Sequence, residues 1–241
     1  MKIRNTGGEY GVLILIALSV LVSAQISASQ RNIAIDKQSF NSVHFDGAAT
    51  LHISQAANAA LTVSGSENAL DDFSVSIRNG TLFIATRKSY GAFFNNSSED
   101  ILITLVVVDL AELRLKGTAE LRVQGLDVQS LALQVSGASD VVFEKLLADT
   151  LTINARGANE FSIDGEVESQ NVSLKGASDY DAVNLYSETA IIMLAGAGDA
   201  KLQVETELNV RVYGVGEVTY LGSPKVNQSV RGMGSVKRIS I

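Results

Sequence analysis

The chain has no cysteine, no tryptophan, one proline and two histidines in 241 residues. Without cysteine there are no disulfides, no thiolate metal site and no lipid-modified cysteine near the N-terminus. The single proline, Pro224, leaves nearly every backbone N–H free to join a hydrogen-bonded ladder. The absence of tryptophan argues against a dedicated sugar-stacking site. Positive charge is scarce: 19 basic residues stand against 26 acidic ones, for a formal net charge of −7. Nucleic acid and anionic lipid are therefore not expected partners. No Gly-x-Ser-x-Gly elbow, P-loop, dinucleotide fingerprint or His-Glu-x-x-His phrase is present.

Long hydrophobic runs are also missing. Val12 to Val22 is an apolar run interrupted only by Ser19. It is too short for a membrane span, which takes about 20 residues. Lys2 and Arg4 precede it, and Val22-Ser23-Ala24 follows with small residues of the kind a signal peptidase reads. Residues 1–24 are therefore expected to be a cleaved secretory signal rather than an anchor. Cleavage leaves a mature chain without a membrane span, and one charge unit more acidic.

What is abundant is short stretches of Val, Ile, Leu and Thr punctuated by Gly, Asn, Asp and Ser, a pattern of strands rather than helices. Seven glycines recur almost periodically: Gly117, Gly137, Gly157, Gly176, Gly196, Gly214 and Gly232. Self-similarity near 20 residues marks a stacked-repeat chain. Two and four residues before the glycines the chain is apolar in all but the last repeat, where Gln228 stands, as at Leu113 and Leu115 or Leu133 and Val135, with mostly polar residues between. Apolar residues return four and six positions after it, as at Leu121 and Val123 or Phe161 and Ile163. Each repeat thus reads as strand, tight glycine corner, strand, looser turn. The small residue following most of the glycines suits a corner where coils stack closely. The expected fold is an all-β solenoid, β-helix-like, with repeats of about 20 residues over 111–241. Residues 25–110 form a less regular β portion sharing the same core. There, Val43 to Ile53 repeats the corner pattern about Gly47, and Phe73–Arg78 and Thr81–Thr86 flank Asn79-Gly80, a two-residue hairpin turn. Residues 89–100 read as an exposed loop, and Ile101–Leu110 as a strand entering the regular coils.

The Asn-Gly hairpin, the Ile101–Gly117 stretch, the repeated Gly-Ala/Ser-x-Asp phrases and the closing Gly214-Val-Gly-Glu-Val-Thr-Tyr-Leu-Gly-Ser-Pro224 resemble the bacterial head GIN domain family. That family carries the label "putative auto-transporter adhesin" and is a domain of unknown function. The resemblance covers about residues 33–238. It implies a right-handed β-helix-like fold in the cell envelope and supplies no catalytic residues.

Several side chains are candidates for chemistry. Three residues after the glycines stands an acid row: Glu120, Asp140, Glu160, Asp179, Asp199 and Glu217, closed by Ser235. Stacked like charges repel or recruit cations, so the row is a candidate ligand-contact stripe with calcium as its cation. The competing reading has these acids hydrogen-bonding turn amides and pairing with Lys116, Arg156, Lys175 and Arg231 across the corner. No resident cofactor or metal is otherwise expected. His44 and His52 flank Gly47 and read as solvated. Tyr90, Phe93 and Phe94 in the 89–100 loop are candidate aromatic contacts to a glycan or protein, or a cap over the first coil. Sets such as Lys175, Asp179 and Asp181, or Asp199 and Lys201, imitate polysaccharide-cleaving sites, but they belong to a periodic row, which favours a structural role.

The expected function is an exported, non-enzymatic, adhesin-like binding module in the periplasm or on the outer surface of a Gram-negative bacterium. Its partners would be envelope or host glycan or protein, with self-association through open coil ends. The alternatives are a polysaccharide-processing β-helix enzyme and a structural periplasmic scaffold without ligand.

Overall fold

The computed structural model describes residues 29–35, 39–86 and 101–240. The proposed signal segment 1–24 and the aromatic candidates Tyr90, Phe93 and Phe94 lie outside the described residues. The fold is all-β. In order the elements are β1 (Ser29–Ile33), β2 (Ser42–Gln55), β3 (Ala60–Gly65), α1 (Glu67–Asp71), β4 (Phe73–Arg78), β5 (Thr81–Thr86), β6 (Leu102–Val107), β7 (Glu112–Gln124), β8 (Leu126–Ala197), β9 (Ala200–Leu221) and β10 (Lys225–Arg238). The short helix is capped by Ser66, whose hydroxyl accepts from the Ala69 N–H.

These strands form one open, mixed sheet in the order β1-β3-β6-β2-β7-β8-β9-β10, with β5 also on β2 and β4 on β5. The first portion contains the antiparallel pairs, β1 with β3, β3 with β6 and β4 with β5. Asn79 and Gly80 both take positive φ, 50° and 74°, which the tight β4–β5 turn requires. From β2 onward the pairing is parallel and the glycines are in register: Gly47 opposite Gly117, Gly117 opposite Gly137, Gly196 opposite Gly214 and Gly214 opposite Gly232. β5 and β6 share the other edge of β2, one pairing with Ser42–Asp46 and the other with Thr50–Gln55.

β8 comprises 72 residues. Laid straight, that much strand would measure about 240 Å. Instead its Gly157 lies against Gly137, Gly176 against Gly157 and Gly196 against Gly176, so the chain returns on itself at each repeat. The extended backbone continues through each bend rather than breaking there, because every bend is paired with the one beside it. Side-chain alternation also passes through the glycine without a change of phase. In β7 the residues Leu113, Leu115, Ala119, Leu121 and Val123 all point inward, and Gly117 occupies the same parity.

The inward columns are nearly sealed. Leu113, Leu133, Ile153, Val172, Ile192 and Val210 form one; Leu121, Val141, Phe161, Tyr180, Ala200 and Val218 form another. One hydrophobic cluster runs from Ile35 through Val218 and joins the irregular first portion to the repeats. Burying each large aliphatic side chain contributes about 1.5–3 kcal/mol, so the continuous columns are the main source of stability. They lose their cover at the last strand, where Val230 is 37% exposed on β10.

Candidate functional site

The acid row sits on the outward parity just after each bend. Asp140, Glu160, Asp179 and Asp199 are exposed, and Glu120 and Glu217 half-exposed. Glu120, Asp140, Glu160 and Asp179 line one shallow groove with Thr118, Ala138, Ala158 and Ala177. Two acids lower in the row take up backbone amides of the next repeat. An Asp179 carboxylate oxygen accepts from the Asp199 N–H at 2.9 Å, and Asp199 accepts from the Glu217 N–H at 2.7 Å. Ser235 then donates its hydroxyl to Glu217 at 3.0 Å. Regular strand pairing stops at Gly198 and Asp199, and the two carboxylates take up amides there.

The row's charge partners differ from those the sequence suggests. Glu120 pairs with Arg122 on its own strand, and Glu217 with Lys237 on β10. The hydrogen bonds from Lys237 and Ser235 hold the Glu217 carboxyl below the usual carboxylate range. Among the described residues, Lys116, Arg156, Lys175 and Arg231 make no ion pair with a row acid. Lys116 reaches Asp46 instead, at 2.7 Å. The cause is the bend: the bases precede the glycine and the acids follow it, so the turn carries them onto different faces. Nor do the acids converge. Among the described residues, no group of three or more His, Asp or Glu side chains is placed to hold a metal ion.

The bases line a groove of their own. It measures about 480 Å³ and is walled by Arg114, Lys116, Arg156 and Lys175 with Gln134, Ser136, Asn154 and Ser173. Arg114 is engaged by Glu112 at 2.7 Å. His44, on the neighbouring coil, packs edge-on against Phe83, and its Nε2 lies 3.5 Å from a Glu112 oxygen. His52 is exposed. The sets that imitate a cleavage site stay apart: Lys201 pairs with Asp181 at 3.4 Å, whereas Lys175 lies in the basic groove.

Two polar groups in the interior escaped the sequence reading. Ser139, Asn159 and Ser178 stand two residues after their glycines and are buried. Asn159 donates to Ser178 at 3.4 Å, while Ser139 Oγ and Asn159 Oδ1 have no protein partner among the described residues. The signal was available, because alternation carried through the glycine assigns that position inward. The second group is a buried relay: Tyr180 donates to Gln170, Gln170 to Ser187 and Ser187 to the Gln203 carbonyl, each at 2.8 Å. Burial pushes the Tyr180 phenol far above its usual range, so it stays protonated.

The family follows from this arrangement of in-register glycines on a mixed sheet. Residues 39–224 match the family described as "Putative auto-transporter adhesin, head GIN domain". The chain belongs to that family. Solved structures share the head GIN fold. A putative adhesin from Bacteroides fragilis is 22% identical with a TM-score of 0.80, the match covering 88% of this chain and 97% of that one. A putative adhesin from Parabacteroides merdae is 20% identical with a TM-score of 0.65, covering 88% and 96%. A protein from Parabacteroides distasonis described as a putative lipid binding protein is 21% identical with a TM-score of 0.63, covering 88% and 97%. No curated relative matches the chain. Among the described residues, no helix of this head GIN domain is long and apolar enough to cross a membrane.

Proposed function

We propose that this head GIN domain is an exported, non-enzymatic binding module of the bacterial cell envelope, built as a β-solenoid that presents stacked rows of side chains to an extended partner. The observation that carries this reading is the segregation of outward charge into rows along the parallel ladder, one face acidic and another basic, within a family labelled as adhesins. Rows repeated at the strand spacing, about 4.8 Å, suit a partner that is itself elongated and repetitive. The coil reading rests on the glycine register and on a 72-residue extended segment that returns on itself.

A polysaccharide-cleaving enzyme would need an acid and a base converging on one bond. Asp179 and Asp199 accept backbone amides, Asp181 pairs with Lys201, and Lys175 lies in the other groove, which favours presentation over chemistry. Reading the N-terminal segment as a secretory signal supports a location in the periplasm or at the outer surface. Calcium remains the one cation proposed for the acid row, as a counter-ion along the stripe rather than at a cluster of converging carboxylates.

The test is retention of envelope polysaccharide and protein fractions by the immobilised full chain, with calcium and with chelator. Saturable retention of a defined fraction supports a binding module, and loss on chelation assigns the contact to the acid row. No retained fraction in either condition overturns the proposal and leaves a ligand-free scaffold.

A further inference from the structure

We infer that the face preceding the glycine bends is a docking track for a carboxylate-bearing polysaccharide, a uronic-acid chain lying along the stack over Lys116, Arg156 and Lys175. This rests on the binding-module reading and names the ligand class and the face.

In a chain of net charge −7, the groove on this face is lined by four cations and no carboxylate. Arg114 and Lys116 are each tied to an acid, whereas Arg156 and Lys175 make no ion pair among the described residues. Both are exposed. Successive repeats in parallel register put Lys116 and Arg156 about 10 Å apart, with Ser136 between them, and Arg156 and Lys175 about 5 Å apart. Such a line of charges does not converge on a single small anion. It matches a thin polymer carrying one anion per unit. Between the cations, Ser136, Asn154 and Ser173 offer the neutral donors and acceptors that sugar hydroxyls require, while Gln134 donates to Glu112.

The same face continues beyond the groove. Arg211 pairs in register with Met193, and Tyr213 with Ala195, so the outward positions before the bend continue to Arg211 and Tyr213. Tyr213 is 38% exposed, and the Arg231 guanidinium lies 5.8 Å from its ring centre. An exposed ring flanked by a cation gives a sugar ring a flat apolar seat beside its carboxylate.

Other polyanions fit less well. The apolar residues under the groove, Leu115, Val135 and Ala155, are buried, so an acyl chain finds no seat. A nucleic acid strand wants aromatic platforms along its track, and the groove has none. The acid row on the adjoining face repels any polyanion broad enough to overlap it.

The experiment titrates the full chain with polygalacturonate at low salt, using the fully methyl-esterified polymer as a neutral copy and phosphatidylglycerol vesicles as a lipid arm. Saturable binding is expected for polygalacturonate, about tenfold weaker for the ester. The double variant R156Q/K175Q is expected to bind about tenfold more weakly, with a salt slope shallower by about two. Its thermal unfolding should match wild type, since both side chains are exposed. Equal binding of acid and ester, or wild-type affinity in the folded double variant, overturns the inference. Binding to vesicles but not to polygalacturonate overturns the polysaccharide assignment. If an envelope fraction is retained while polygalacturonate is not bound, the track fails and the binding module stands.

Discussion

Replacing Gly157 by alanine tests whether neighbouring repeats meet as closely as the register demands. Its φ is +119°, a conformation that L side chains resist at about 1–2 kcal/mol. A Cβ at that position would lie 1.9 Å from the Gly137 carbonyl oxygen and 2.9 Å from its carbon, both backbone atoms of the neighbouring coil. Relief requires the two coils to part by about 1.5 Å, which takes hydrogen bonds of about 2.9 Å out of range. Losing two of them adds about 2 kcal/mol, for a total of about 3–4 kcal/mol. For a chain of this size, that lowers Tm by roughly 6–16 °C. The control is Gly80→Ala, where φ is +74° but nothing lies within 4 Å of the added carbon. It carries the conformational cost alone, about 1–2 kcal/mol, or roughly 2–8 °C. The assay is thermal unfolding followed by far-ultraviolet circular dichroism. If Gly157→Ala melts with Gly80→Ala, the close approach between coils is wrong.

Four further outcomes are expected. Tyr180→Phe strips the donor from buried Gln170 and should cost about 1–3 kcal/mol in urea unfolding; an unchanged midpoint would contradict the relay. Because the folded-state pKa of Tyr180 is raised, its contribution is complete below the unfolded value near 10 and declines as pH rises above it. Wild type should therefore lose stability above about pH 10 more steeply than Tyr180→Phe, and parallel alkaline limbs would sink the idea. At Asp179, the Asn variant keeps an acceptor for the Asp199 amide and should hold wild-type stability, whereas Asp179→Ala should lose about 1 kcal/mol; equal losses would show that charge, not acceptance, matters. Finally, Lys237→Ala should return the Glu217 carboxyl toward its ordinary range, read by carboxyl NMR titration; an unmoved titration refutes the Lys237 contact as the cause.

Much of the strand pattern was legible because alternation and turn chemistry are local. Asn79-Gly80 predicts the β4–β5 hairpin with the bounds observed, since few residue pairs accept two successive positive φ values. The glycine spacing likewise predicts the in-register pairing. Its contraction from 20 to 18 residues appears as register shifts between Ala182 and Tyr186 and between Ser187 and Thr189, where β8 and β9 take up the difference. What was not legible depends on contacts distant in sequence. Bases before the bend and acids after it lie a few residues apart, yet the turn assigns them to different grooves. Pairing Lys116 with Asp46 spans 70 residues, and nothing local indicates it. Gln170 reads as an exposed polar residue among Glu166, Glu168 and Asn171 until the fold buries it against Tyr180 and Ser187.

The central claim is that the head GIN domain binds an extended partner and leaves it intact. The most direct measurement incubates the full chain with the envelope fraction it retains, then reads the binding isotherm and the partner's size distribution from the same sample. The account predicts saturable binding and an unchanged distribution after prolonged incubation. A distribution that shortens with time, in proportion to protein added, would contradict it and make the domain an enzyme.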